Sequence, residues 1–119
     1  MKNTLMIKKN KMLKYVLKKG RYYISKYVVV HYINNESKEK NYLAICVSKK
    51  NGISVHRNKL KRWARECYKN EEKSLKKGKD IIILYRKTTT IENIDFNVIK
   101  QDIIKCFKEL DLYEIKENN

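Results

Sequence analysis

The sequence predicts an α+β domain, a two-layer α/β sandwich of helices on a mostly antiparallel central sheet, and three stretches carry that expectation. Residues 55–69 separate at 3.6 residues per turn into a cationic arc of Arg57, Asn58, Lys61, Arg62, Arg65 and Lys69 and an apolar arc of Leu60, Trp63, Ala64 and Cys67. Residues 22–33 are dense in aromatic and β-branched side chains, as strands are. Residues 81–85, Ile-Ile-Ile-Leu-Tyr, form a continuous apolar run of strand length, as expected of a central strand covered on both faces.

Taken in order, residues 8–19 read as an N-terminal helix. Asn10 is the candidate N-cap, Leu13, Val16 and Leu17 share one side, and Gly20 is the stop. This helix is basic too, since the first twenty residues hold seven lysines and no acid. The strand at 22–33 alternates, with Tyr27, Val29, His31 and Ile33 on one face and Val28, Val30 and Tyr32 on the other. Residues 34–41 form a polar turn, and 42–48 a second strand that closes a hairpin with the first. The loop Lys49-Lys50-Asn51-Gly52-Ile53-Ser54 feeds the basic helix, which extends towards Lys73 and stops before Gly78. After the apolar strand, Phe96, Ile99, Ile103, Phe107 and Leu110 mark an amphipathic C-terminal helix with Asp95 as candidate N-cap. At 119 residues the chain is expected to be one domain spanning 1–119, with its core at about 7–112.

The charge demands an explanation. Against 13 acidic residues stand 29 lysines and arginines, a net charge of +16, in a chain whose 42% hydrophobic content is enough to fold. Such a field repels itself in the compact state and favours polyanions: nucleic acid, an anionic membrane surface or an acidic protein. The membrane reading lacks an anchor, because no run of about 18 apolar residues occurs and no signal or lipidation motif is present; a cytoplasmic protein is the default. Cys46, Cys67 and Cys106 are odd in number and lack a C-x-x-C pair, which argues against a disulfide framework or a zinc ribbon. They read as small apolar residues in a reducing compartment, with no disulfide partner. Arginine is selective here: three of the chain's five lie on the basic helix, where planar, multi-donor recognition is most useful.

No catalytic constellation emerges. A two-metal nuclease needs clustered carboxylates, and Asp80 and Asp95 stand alone near strand ends. The three glycines, Gly20, Gly52 and Gly78, do not make a phosphate-binding loop. A stand-alone ribonuclease would have to use His31 and His56 as an acid–base pair, and neither has an acidic sequence neighbour to orient it. Polyanion binding is the better reading, and a structural RNA-binding protein of ribosomal type shares the same size and charge.

The stretch Val47-Ser48-Lys49-Lys50-x-Gly52-x-x-Val55-x-Arg57-Asn58-x-x-Lys61-Arg62-x-x-Arg65-Glu66 resembles the central signature of the bacterial ribonuclease P protein subunit, the small basic partner of a catalytic RNA. The resemblance runs from about Ile7 to Leu112 and separates this reading from the ribosomal one. It implies the family's sandwich, in which the basic helix makes a left-handed βαβ crossover; the usual right-handed rule leads to the opposite hand. It implies that the RNA subunit performs the Mg²⁺-dependent removal of 5′ leaders from precursor tRNA, with the protein assisting and holding no tightly bound metal of its own. Arg57, Asn58, Lys61, Arg62 and Arg65 would then face the catalytic RNA, with Lys49 and Lys50 extending the patch. A leader-binding cleft between the first helix and the sheet would be lined by Leu13, Leu17, Val29, His31 and Cys46.

That cleft departs from the family's habit, which places aromatic residues at the positions of Leu13 and Leu17 and often a tyrosine at His31. Stacking on an aromatic ring is worth about 1–3 kcal/mol per base, and leucine does not reproduce it. The expectation is therefore that leader binding leans on lysines and on Tyr15, Tyr22 or Tyr27.

Overall fold

The computed structural model describes residues 1–115, and the end of the acid-leaning tail, 116–119, lies outside the described residues. Five strands and three helices follow one another as β1 (Thr4–Met6), α1 (Asn10–Lys19), β2 (Arg21–Ile24), β3 (Val28–Asn34), β4 (Asn41–Cys46), α2 (Ser54–Glu71), β5 (Lys79–Tyr85) and α3 (Phe96–Glu109). Short 3₁₀ turns at Lys49–Asn51 and Glu72–Ser74 flank α2. The α+β class and the three helices agree with the sequence reading. Asp95 caps α3 as expected, accepting from the Val98 amide at 3.0 Å, whereas α1 begins after Lys9 without a side-chain cap.

The sheet corrects three expectations. Its order is β1-β4-β5-β3-β2, with β1–β4 and β4–β5 parallel and β5–β3 and β3–β2 antiparallel, so it is mixed and not mostly antiparallel. β3 and β4 do not form a hairpin, because β5 inserts between them. An apolar strand gains most when both of its neighbours are strands, and Ile81, Ile82 and Ile83 are fully buried at that central place. Finally, residues 22–33 are two strands, not one. They turn at Ser25-Lys26-Tyr27, where the buried carboxylate of Asp102 on α3 accepts from Ser25 Oγ at 2.6 Å, the Tyr27 amide at 2.8 Å and the Val28 amide at 3.1 Å. The turn also breaks the expected alternation: Tyr27 packs on the same core as Val28 and Val30.

The helices occupy both faces. α2 and α3 cover the larger core, in which Leu60, Ala64 and Cys67 of α2 and Ile99, Ile103 and Phe107 of α3 close over Val28, Val30, Leu43, Ile81, Ile83 and Tyr85. Cys67 and Cys106 are buried there, and loss of hydration pushes each thiol up to about 12. On the other face α1 sets Val16 against Ala44 and Ile82. No described helix is long and apolar enough to cross a membrane.

The hand of the β4–α2–β5 unit follows from hydrogen-bond parity. The Arg86 amide donates to Tyr27 O at 3.0 Å, so on β5 Ile82 and Leu84 turn their backbone polar groups towards β3 while their side chains face α1. For L-residues this places β4 on the left of an upward-running β5 as seen from α1. With α2 behind the sheet the crossover is left-handed, the uncommon hand.

α1 crosses the middle of its face and divides it into two troughs. Strand register sets three rows of side chains under it. Leu5, Tyr42, Asp80 and Ile33 form one, Ala44, Ile82, His31 and Tyr22 the next, and Cys46, Leu84, Val29 and Ile24 the third. Gly20 lets the helix end sit this close: a Cβ there would stand 2.6 Å from the carbonyl oxygens of both Tyr32 and Val16. Both obstacles are backbone. Gly20→Ala is expected to destabilise the protein by about 2–3 kcal/mol, read as a lower urea midpoint at unchanged slope.

Candidate nucleic-acid interface

The cationic arc read from the sequence is a real surface. Asn58, Lys61, Arg62 and Arg65 are exposed on α2, and Lys49 and Lys50 are exposed on the turn before it, while Leu60, Ala64 and Cys67 point into the core. Arg57 is half-buried, and its Nε lies out of contact with water with no hydrogen-bond partner. The turn is fixed from below by Asn51, a residue the sequence reading passed over. Fully buried, it accepts from the Ser48 amide at 2.9 Å and donates to the carbonyls of Arg86 and Thr89, each at 2.8 Å. Similarly, Tyr85 Oη donates to Leu60 O at 2.7 Å, tying α2 to the central strand. The Ser48–Asn51 capping box is local, but the bonds from Asn51 to Arg86 and Thr89 and from Tyr85 to Leu60 have no local sequence signature, because their partners lie 35, 38 and 25 residues away.

The charges on this surface form no ion pair among the described residues. Among the described residues the single ion pair joins Lys76 and Asp111, at 3.2 Å, on a different part of the molecule. Thus the field of the cationic arc is directed outward.

The predicted cleft is the trough over the third row. Cys46 and Leu84 line up there, and Leu13 packs on the same small cluster around Val16. Val29 lies in that row and His31 in the adjacent one, on the same face, and Leu17 stands at the open edge, 36% exposed. All five residues therefore face one region. Lys61 lies close enough for its charge to oppose in part the upward push that burial gives the Cys46 thiol, so α2 and the trough meet at Cys46.

Of the three tyrosines expected to supply stacking, only Tyr22 is in place. It pairs with His31 across the strands, their ring centroids 5.3 Å apart at 34°, and remains 59% exposed. Tyr15 lies on the other side of α1, and Tyr27 belongs to the larger core. His31 Nδ1 is buried without a partner, and burial pulls the imidazole below its ordinary value, which favours the neutral ring. His56 packs over Gly52, ahead of α2. Among the described residues no group of three or more His, Cys, Asp or Glu side chains is placed to hold a metal ion. Among the described residues the side chains thus offer no cluster of the oxygen ligands that a magnesium ion takes.

Fold and surface define a class: a small basic α+β domain that presents an exposed cationic helix from a left-handed βαβ unit. The family model described as Ribonuclease P matches residues 1–111. The ribonuclease P protein component of Clostridium botulinum (strain 657 / Type Ba4) is 34% identical over 108 residues, 90% of this chain and 95% of that one. Among solved structures, a Staphylococcus aureus RNase P protein mutant with defective mRNA degradation activity superposes with TM-score 0.82 at 31% identity, covering 91% of this chain and 89% of that one. The Thermotoga maritima RNase P protein gives 0.71 at 28%, covering 92% and 94%. The chain belongs to the ribonuclease P protein family.

Proposed function

We propose that this chain is the protein cofactor of a ribonuclease P ribonucleoprotein, assisting a catalytic RNA in Mg²⁺-dependent removal of the 5′ leader from precursor tRNA. Residues 1–119 act as one domain, in the cytoplasm. The observation that carries the reading is the outward-facing cationic arc of α2, unneutralised from within, on the fold shared with the family. Arg57, Asn58, Lys61, Arg62 and Arg65, with Lys49 and Lys50, contact phosphates of the catalytic RNA. The trough of Leu13, Leu17, Val29, His31 and Cys46 takes the single-stranded leader. The protein is not itself catalytic: it lowers repulsion among crowded phosphates, which lets the RNA and substrate hold their magnesium at lower concentration.

The test is cleavage of precursor tRNA by a bacterial catalytic RNA at low Mg²⁺, with and without the protein. Stimulation is the expected result, and its absence with a well-matched RNA would refute the role. Assembly is also expected to weaken steeply with salt, each phosphate contact contributing roughly 0.7–0.9 to the log–log slope.

Tyr22 supplies the stacking surface that Leu13 and Leu17 lack. Tyr22→Ala is expected to weaken binding of precursor tRNA about tenfold, within the range of one base–aromatic stack, while binding of leaderless tRNA is unchanged. Equal losses for both RNAs would remove Tyr22 from the leader path.

One observation favours a second reading, degradation of messenger RNA, because the Staphylococcus aureus relative is a mutant described as defective in mRNA degradation activity. Purified protein that cuts RNA with no RNA subunit present, and loses that activity in His31→Ala, would establish it.

A further inference from the structure

The trough on the other side of α1 is a groove of about 970 Å³. It is separate from the proposed leader path, since α1 with Val16 lies between them. Its floor is the row Ile33, Asp80, Tyr42 and Leu5, set side by side by the register of four strands. Met12 and Tyr15 of α1 overhang it, Tyr15 being 56% exposed, and Lys8 and Lys9 stand at the rim.

Asp80 is the anomaly. A carboxylate only 7% exposed lies in the middle of an apolar floor in a chain of net charge +16, with no cation paired to it among the described residues. Its Oδ1 accepts from Asn35 Nδ2 at 3.0 Å, which leaves acceptor capacity on both oxygens. Desolvation pushes its carboxyl up, the sign of an anion held at a cost. Walls that are largely apolar, although Glu36 and its polar neighbours line one part, an acceptor-only group on the floor and two cations at the mouth match the three parts of a nucleotide: ring, base edge and phosphate. Among the RNA bases guanine alone presents two adjacent donors, N1–H and N2–H, on its Watson–Crick edge. Adenine and cytosine set a ring acceptor beside their amine, and it would face the carboxylate unfavourably.

We propose that this groove binds one unpaired guanosine of an RNA strand, the base beneath Tyr15, its N1–H and N2–H on Asp80 and its phosphate at Lys8 and Lys9. The inference rests on the RNA-binding reading above and adds to it a second single-strand site with a base preference. Nothing about the leader path is needed for it.

The test is fluorescence anisotropy of the full-length chain with labelled UUUGUUU, the same strand with inosine for guanosine, and heptauridine. The guanosine strand is expected to bind about tenfold tighter than heptauridine, the lower end of what a bidentate base contact contributes. Inosine, which lacks the N2 amine, should lose much of that advantage, and Asp80→Asn, which sets a donor against the base edge, should abolish it. Because Asp80 is buried, Asp80→Asn is checked for folding by its melting temperature. Should it fail to fold, the inosine strand and the exposed-site variant Tyr15→Ala decide, and both should reduce the guanosine advantage. Equal affinities for the three strands, or a guanosine preference that survives both inosine and Tyr15→Ala, would overturn the proposal. The same preparation is assayed for stimulation of precursor tRNA cleavage. Normal stimulation without a guanosine preference removes this site and leaves the cofactor role standing, whereas loss of both rejects the RNA-binding reading itself.

Discussion

Replacing Arg62 and Arg65 together by alanine is expected to cut affinity for the catalytic RNA roughly a hundredfold, taking each lost hydrogen bond to a charged group as about 1.5 kcal/mol. Both side chains are exposed, one turn or less apart on α2, and among the described residues neither forms an ion pair with an acid. Their removal therefore leaves the core intact, and the melting temperature should stay nearly constant. Arginine matters here for its planar fork of donors, so Arg62→Lys/Arg65→Lys should recover only part of the affinity although the net charge is restored. A salt titration gives an independent reading. The slope of log affinity against log salt should fall by roughly 1.5 in the alanine double variant, about 0.7–0.9 for each contact. Unchanged affinity and slope would move the RNA interface off this helix. In the cleavage assay the double variant should need higher Mg²⁺ to reach the wild-type rate, because the missing cations no longer relieve repulsion where substrate and catalytic RNA meet.

Asp102→Ala is expected to destabilise the fold by about 3–5 kcal/mol, the largest effect of any single side chain considered. The carboxylate accepts from a hydroxyl and two backbone amides at the turn between β2 and β3. Alanine would strand these donors, each hydrogen bond to a charged group contributing about 1.5–3 kcal/mol, with water able to reach the half-buried Tyr27 side and recover some of the sum. Against a total stability of about 5–15 kcal/mol for a domain, such a loss brings the chain near unfolding. Asp102→Asn retains one acceptor oxygen and should cost less than half as much. Urea unfolding followed by circular dichroism distinguishes the two, and equal midpoints for wild type and Asp102→Ala would show that the turn holds without the carboxylate. Because β2 carries Tyr22, the destabilised variant should also lose preference for substrates with a leader before it loses binding to the catalytic RNA, proposed above to rest on α2.

The cationic arc was legible because helical periodicity is local: Arg57, Lys61 and Arg65 recur every fourth residue, and Leu60, Ala64 and Cys67 recur at spacings of four and three on the opposite side. The same holds for α3, where Asp95 and the spacing of Ile99, Ile103 and Phe107 declare both start and buried face. Composition alone implied a polyanionic partner. What eluded the sequence was everything that depends on pairing across distance. β1 is three residues long, too short for a period to register. The place of β5 between β3 and β4 depends on which apolar strand gains most from two flanking strands, a competition that no window of sequence contains. The split at Ser25 is dictated by Asp102, 77 residues away.

The sequence by itself thus determined a basic α+β chain, its cationic helix and which residues of that helix face outward. Only the tertiary structure decided that α1 crosses the middle of the sheet, setting Leu13 and Leu17 over one trough and Met12 and Tyr15 over another. It also decided that Tyr22 alone among the candidate tyrosines stands beside His31, at the trough proposed for the leader, and that Asp80 lies at the floor of a second groove. The physical reason is that a surface is assembled from rows of residues on several strands, and register across a sheet is a property of the packed whole.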